Sequence, residues 1–127
     1  NVKGTDLAVL AEAPAGMKFD YLVDHFEQNV GKTVLVQRNG PRIVHRVGIL
    51  SGFGADKIEA AVALGCDAFI TGEIPEHAVH LARELGVHLF AAGHHATERY
   101  GVQALGERLA RELDIRHHFI DGAAVNP

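Results

Sequence analysis

The sequence predicts an α/β fold with a mostly parallel sheet and helices on both faces, in three αβα layers. From Val44 onward, short apolar runs typical of strands alternate with helical segments, and the connections between them are short and rich in glycine. Hydrophobic residues make up 47% and charged residues 22% of the 127 residues, as in soluble globular domains. Short strand–helix–strand connections imply right-handed crossovers and therefore neighbouring parallel strands.

The elements before Val44 are predicted from periodicity and turn signals. Residues 1–16 have weak periodicity and are interpreted as an extended lead-in or an edge strand. Residues 17–26 carry apolar side chains at i, i+3, i+4 and i+7, which predicts an amphipathic helix, and Gly31 follows where a C-cap glycine belongs. Residues 33–37 and 43–50 are predicted strands, separated by the turn signal at 38–41.

The remaining elements alternate regularly, and each predicted helix follows a strand. Helix ends are assigned from glycines just beyond them, and Pro75 is placed in a first helical turn, where a missing N–H costs little. In chain order, the prediction is a strand at 44–50, a helix at 55–64, a strand at 68–70, a helix at 75–85, a strand at 87–92, a helix at 97–113, a strand at 116–120 and a frayed tail at 122–127.

Length and charge restrict the class of protein. We expect Asn1 to Pro127 to form one α/β domain, because a chain of this length buries enough surface to fold without disulfides. No apolar run reaches the roughly 18 residues of a membrane span, so no membrane partner is expected. The net charge of -4 argues against direct nucleic-acid binding. The single cysteine, Cys66, is interpreted as a packing residue in a reducing, cytoplasmic environment.

Three polar, glycine-containing segments follow three predicted strands. Ligands of open parallel sheets bind beyond the carboxyl ends of the strands, so these segments are the predicted site. They are residues 51–54, 71–73 and 93–98, the last of which runs into the helix predicted from residue 97. The first can cradle a phosphate through backbone N–H groups or simply form a tight turn. In the second, Gly72 allows a close approach, and Glu73 is a candidate general base, a partner for a metal-binding histidine, or a helix N-terminal residue.

His94 and Glu98 carry the most specific chemical signal. They lie four residues apart, so on a helix beginning near His94 their side chains share a face. An imidazole and a carboxylate on one face suit a divalent metal. The alternative is that His94 and His95 are polar loop residues, Thr97 caps the helix and Glu98 complements its dipole. Two ligands are fewer than the three or four that zinc sites take from protein.

The other histidines are interpreted mainly as structural or surface residues. His77 and His80 lie at i and i+3 on one predicted helix, a possible metal pair but more typical of a half-exposed face. His117 and His118 are adjacent in a predicted strand, so they would point to opposite faces and could not serve one site. The same interpretation applies to His25, His45 and His88.

Several segments together resemble the C-terminal half of the Nif-three-like family, also called GTP cyclohydrolase type-two homologues. The most specific are residues 65–77 (GCDAFITGEIPEH) and 90–99 (FAAGHHATER), and residues 47–54 and 119–121 also match. The resemblance covers the chain from about Met17 onward. It implies a toroidal hexamer with two divalent metal ions in each subunit, of which His94 and Glu98 would be ligands and His95 would not. Zn, Fe, Mn and Ni are not distinguished by these ligands.

The family's remaining ligands come from an N-terminal half with a His-His-Gly segment. No such segment stands near the start of this chain. We therefore expect Asn1 to Pro127 to be the C-terminal half of a longer protein. Because the metal site would then be incomplete, we expect this chain alone to bind no metal or to bind one weakly.

Two functions follow from the resemblance, and a third is less favoured. The first is a dinuclear metal-dependent hydrolase acting on a small, nucleotide-like substrate, with Glu73 in a catalytic role. The second is a metal-binding hexameric scaffold or regulatory protein without catalysis. Direct nucleic-acid binding is disfavoured by the acidic charge and by the absence of a basic cluster.

Overall fold

The fold is a five-stranded mixed sheet covered by helices on both faces. The computed structural model describes residues 7–31 and 35–122 of the chain. Within these residues the elements are β1 (Val9–Lys18), α1 (Phe19–Asn29), β2 (Leu35–Gln37), β3 (Ile43–Phe53), a 3-10 helix (Ala55–Lys57), α2 (Ile58–Ala63), β4 (Ala68–Glu73), α3 (Glu76–Glu84), β5 (His88–Ala91) and α4 (His94–Leu113). None of the described helices is long and apolar enough to cross a membrane.

The three central strands are parallel and both edge strands are antiparallel. The strand order is β1-β3-β4-β5-β2. β3 and β4 pair in parallel with Leu50 opposite Thr71, and β4 and β5 pair in parallel with Thr71 opposite Ala91. β1 and β2 run antiparallel to β3 and β5, respectively. The prediction of an α/β fold with a parallel core is confirmed. The carboxyl ends of the three parallel strands lie at the same end of the sheet.

Two hydrophobic clusters, one on each face of the sheet, hold the layers together. Phe69 and Leu89 pack on one face under α2 and α3, with fully buried Ile58 beside them. Neighbouring residues in the same strands point to the other face, where Ile70 and Phe90 pack under α1. Strands buried on both faces are the usual core of a three-layer α/β fold.

The early elements largely agree with prediction. Residues 9–18 form the predicted edge strand, paired antiparallel with β3. The predicted amphipathic helix is α1, which buries Phe19 and Val23. The segment predicted as one helix at 55–64 is a 3-10 turn followed by α2. The predicted strand at 33–37 is described only from Leu35, and residues 1–6 and 123–127 lie outside the described residues.

Three predicted boundaries are wrong at the carboxyl ends of the parallel strands. Residues 51–53 and 71–73 belong to strands, not loops, because the β3–β4 ladder continues past a register shift to pair Phe53 with Glu73. α4 begins at His94 rather than at residue 97, directly after Gly93, whose φ of 90° turns the chain out of β5.

The strand predicted at 116–120 does not form. Asp114 ends α4 with a left-handed φ of 52°, and the chain that follows turns back along the helix instead of joining the sheet. His117 packs against Gly106 of α4, and Asp121 contacts His95 and Arg99, so this segment lies along the helix and not beside a strand. The apolar character of residues 119 and 120 therefore does not lead to strand pairing.

Candidate functional site

The ends of β3 and β4 meet the start of α4 at unusually short range, and glycines make this possible. A Cβ at position 72 would lie 2.6 Å from the Gly52 carbonyl oxygen, 2.8 Å from the His94 Cα and 2.8 Å from the Thr97 Oγ1. A methyl group at this point would separate the helix from the sheet. Gly72 therefore lets α4 place its first turn directly on the strand ends.

Two threonine hydroxyls fix this contact. Thr97 Oγ1 accepts the Gly52 N–H at 3.0 Å and lies 3.0 Å from the Gly93 carbonyl oxygen, to which it donates. Thr71 Oγ1 accepts the Gly54 N–H at 2.9 Å. The capping role given to Thr97 in the alternative interpretation is not found, because the N-cap residue is Gly93 and no side chain caps the helix. Thr97 instead joins the first turn of α4 to the end of β3.

The same hydrogen bonds bear on the phosphate-cradle interpretation of residues 51–54. The N–H groups of Gly52 and Gly54 are both bound by threonine hydroxyls and are not available to a phosphate. Gly52 has a φ of 66° and Gly54 is buried, as expected where a strand turns sharply into a helix. The structure therefore favours the alternative, a tight turn.

His94 lies between two carboxylates. Its Nδ1 is 3.3 Å from Glu73 Oε1, and its Nε2 is 3.1 Å from Glu98 Oε2. All three side chains are partly exposed, at 38% for His94, 41% for Glu73 and 53% for Glu98. The predicted shared face of His94 and Glu98 on α4 is confirmed. The contact with Glu73 adds a third residue from the end of β4.

The two carboxylates favour a protonated imidazole. The pKa of His94 is raised, mainly by its hydrogen bond with Glu73, while partial burial opposes this and the charge of Glu98 adds to it. Two neighbouring negative charges equally favour any cation that takes the place of that proton. The electrostatics at His94 therefore favour positive charge at this position.

The geometry of His94 and Glu98 is compatible with ligation of one metal ion. Two ligands of an ion at about 2.0–2.1 Å each are about 2.9–3.4 Å apart, and the Nε2–Oε2 distance is 3.1 Å. Gly52 lets both side chains approach the end of β3 closely, since a Cβ there would lie 2.2 Å from Glu98 Oε1 and 3.0 Å from His94 Nε2. Across residues 7–31 and 35–122, no group of three or more His, Cys, Asp or Glu side chains is arranged to hold a metal ion.

His95 points away from this cluster. Its Nε2 lies 2.8 Å from Asp121 Oδ1, and Arg99 Nη1 donates to Asp121 Oδ2 at 3.0 Å. The sequence predicted the close approach at Gly72, which the structure confirms, but it included Asp121 only in a family match and did not indicate the same role for Gly52. The glycine at the end of the preceding strand was a second signal of close backbone approach.

Three other histidines and the cysteine occupy the core or surface positions that the sequence analysis expected for them. His88 is buried, stacks on Phe19 with ring centroids 3.5 Å apart, and accepts the Gly40 N–H at Nδ1. His77 and His80 are exposed on α3. Cys66 is buried in the hydrophobic cluster under α2, and burial raises the pKa of its thiol.

Comparison with curated proteins finds relatives that share this region. A protein of Haemophilus influenzae (strain ATCC 51907 / DSM 11121 / KW20 / Rd) called "GTP cyclohydrolase 1 type 2 homolog" is 50% identical over 95 residues. The match covers 73% of this chain and 38% of that protein. A protein of the same name from Escherichia coli (strain K12) is 51% identical over 82 residues, covering 65% of this chain and 33% of the relative. The chain thus spans well under half the length of these relatives.

Solved structures share the fold. A protein described as ybgI, of unknown function, superposes with a TM-score of 0.84 at 41% identity, over 91% of this chain and 47% of its own. TTHA1606 from Thermus thermophilus superposes with a TM-score of 0.71 at 26% identity, over 92% of this chain and 44% of its own. The model of the family Duf34/NIF3 (NGG1p interacting factor 3) matches residues 2–125, and the chain therefore belongs to this family.

Proposed function

We propose that this chain provides part of the metal site of a metal-dependent hydrolase, with His94 and Glu98 as ligands. The observation that carries the proposal is the position of the His94 ring between the Glu73 and Glu98 carboxylates, at the meeting point of β3, β4 and α4. Divalent ions act as Lewis acids and lower the pKa of water, which is the chemistry that a hydrolase needs at neutral pH. Zn, Fe, Mn and Ni all suit an imidazole and a carboxylate.

Within this proposal, Glu73 is a positioning residue for His94. An imidazole that ligates through one nitrogen usually donates its other N–H to a carboxylate, which fixes the tautomer and the ring orientation. Glu73 Oε1, at 3.3 Å from Nδ1, is placed to accept that hydrogen bond and to leave the Nε2 lone pair facing Glu98. Action of Glu73 as a general base during catalysis stays a prediction.

The substrate class comes from the relatives rather than from the geometry of the site. The curated relatives carry the name "GTP cyclohydrolase 1 type 2 homolog". We accordingly propose a small, nucleotide-like substrate for the whole protein. We also propose a second divalent ion, whose ligands include residues other than His94 and Glu98. Assembly into a hexamer and a cytoplasmic location also stay predictions.

The alternative is a metal-binding hexameric scaffold or regulatory protein without catalysis. The exposure of His94, Glu73 and Glu98 favours it, because catalytic sites usually lie in concave pockets that exclude water. Two cavities of about 280 Å³ lie elsewhere: one beside Cys66 and Phe69, the other between β1 and α1. Neither is lined by these three residues.

The metal part of the proposal is tested by titrating Zn²⁺ into the full-length gene product by calorimetry, because this chain alone is expected to bind metal weakly or not at all. We expect binding in the wild type that is lost in His94→Ala and weakened about tenfold or more in Glu73→Gln. His80→Ala is the matched control, since His80 is an exposed histidine on a different helix, and its affinity should equal that of the wild type. Binding that survives His94→Ala would overturn the assignment.

The catalytic part is tested separately by following the loss of GTP in the full-length gene product with Zn²⁺ or Mn²⁺. The hydrolase proposal predicts metal-dependent turnover that is lost in His94→Ala. Metal binding that depends on His94 but is never accompanied by turnover would refute the hydrolase and support the scaffold.

A further inference from the structure

The segment after α4 runs back along the helix. Asp114 reverses the chain with its left-handed φ of 52°. His117 then packs against Gly106, where a Cβ on the glycine would lie 2.2 Å from His117 Nε2. Four residues later, Asp121 reaches His95 and Arg99. Residues 114–122, the tail segment, therefore lie antiparallel to α4 and end beside its first turns.

Asp121 bridges two residues on the start of α4. Its carboxylate contacts His95 Nε2 at 2.8 Å through Oδ1 and Arg99 Nη1 at 3.0 Å through Oδ2. His95 and Arg99 are four residues apart and share a helix face, one residue along from His94 and Glu98. Asp121 thus holds the neighbouring face of the same turns that carry the candidate ligands.

The start of α4 has no stabilising cap of its own. Its N-cap is Gly93, no side chain caps it, and its first turn has no acidic residue. The free N–H groups and the positive dipole end of a helix favour a negative charge nearby. Glu73 and Glu98 already lie beside His94 at this helix start, and the tail segment adds the charge of Asp121 on the neighbouring face. The hydrogen bond from His95, together with Arg99, lowers the pKa of the Asp121 carboxyl.

We propose that Asp121 is a positioning residue, which orders the first turn of α4 and thereby keeps His94 in its ligand-binding geometry. The metal part of this statement rests on the proposed function. The ordering of the turn does not, because it follows from the contacts with His95 and Arg99. Removing the carboxylate should loosen the helix start locally and leave the sheet unchanged.

Amide hydrogen exchange without metal tests the ordering of the turn. In Asp121→Asn, the amides of residues 97–99 should exchange about two- to fivefold faster, the size expected for one charge at a helix N-terminus. Asp121→Glu keeps the carboxylate and should restore slow exchange. Asp114→Asn is the matched control, because it removes the same charge from the tail segment and asparagine tolerates the left-handed conformation. The amide of buried Ile70 should exchange at the wild-type rate in every variant.

Zn²⁺ titration of the same substitutions in the full-length gene product tests the consequence for the site. Affinity should fall about two- to fivefold in Asp121→Asn and stay unchanged in Asp121→Glu and Asp114→Asn. Unchanged exchange in Asp121→Asn, or equal acceleration at Ile70, would overturn the positioning role. Local loosening without any loss of affinity would overturn its link to His94. If the full-length wild type binds no Zn²⁺ at His94, the proposed function fails, while the exchange experiment still decides whether Asp121 orders the turn.

Discussion

Gly72→Ala should destabilise the protein, although alanine is the smallest possible addition. The new Cβ would lie 2.6 Å from the Gly52 carbonyl oxygen and 2.8 Å from both the His94 Cα and the Thr97 Oγ1. Two of these neighbours are backbone atoms, so they cannot rotate away. Gly72 is not among the glycines with positive φ, which means that the cost comes from crowding and not from backbone strain.

The magnitude follows from two opposing effects. Overpacking in a well-packed region costs about 1–3 kcal/mol, and replacing glycine by alanine recovers about 0.4–1 kcal/mol by restricting the unfolded chain. Because two of the neighbours are backbone atoms, the upper half of the overpacking cost applies, and we expect a net loss of about 1–2.5 kcal/mol in the free energy of unfolding. The helix start must also shift away from β4, which moves His94 relative to Glu73.

Urea denaturation of Gly72→Ala and Gly101→Ala measures this effect against a matched control. Gly101 lies inside α4, and a methyl group added there would have no neighbour within 4 Å, so alanine should stabilise the protein by about 0.5–1 kcal/mol. We expect the change in the free energy of unfolding to have opposite signs in the two variants. Equal stability of Gly72→Ala and wild type would refute the close contact between α4 and the strand ends.

Two further predictions concern buried polar groups. Thr97→Val leaves the buried Gly52 N–H without its acceptor and should cost about 1–3 kcal/mol in urea denaturation, while Thr97→Ser, which keeps the hydroxyl, should cost less. Burial is the main reason that the pKa of His88 is lowered, so the unfolded chain takes up this proton at a higher pH than the folded protein. The stability contributed by neutral His88 is therefore present at neutral pH. It is lost below about pH 6.5, at up to about 1.4 kcal/mol per pH unit, and His88→Gln should show a smaller loss between about pH 7 and about pH 5.5.

Local sequence patterns were sufficient where local periodicity decides the structure. The apolar spacing of Phe19 and Val23 predicted α1, and the short apolar runs around Ile70 and Phe90 predicted the buried strands. The strand predicted at 116–120 is wrong because the chain reverses at Asp114 and His117 packs against Gly106 of α4, and such contacts between distant residues are not encoded in a local apolar pattern. The antiparallel edges were not predicted for the same reason.

In the candidate site, too, local geometry was predictable from the sequence and packing between elements was not. The four-residue spacing of His94 and Glu98 predicted their shared face, since helix geometry alone determines it. The contact of Glu73 with the other nitrogen of His94 depends on how β4 and α4 pack, and spacing does not encode it. The Asp121 contacts arise from the reversal of the chain after α4, in a segment predicted to be a strand.

Under the proposed function, Glu73 and Glu98 hold His94 as a metal-binding imidazole, and the ring nitrogens of His94 test this role most directly. Long-range ¹H–¹⁵N NMR of the chain, above the pKa of His94, should show a proton on Nδ1, facing Glu73, and a deprotonated Nε2. Addition of Zn²⁺ to the full-length gene product should then shift the His94 Nε2 resonance before that of any other histidine. A proton on Nε2 in the metal-free chain, or a first response at another histidine, would contradict this role of His94.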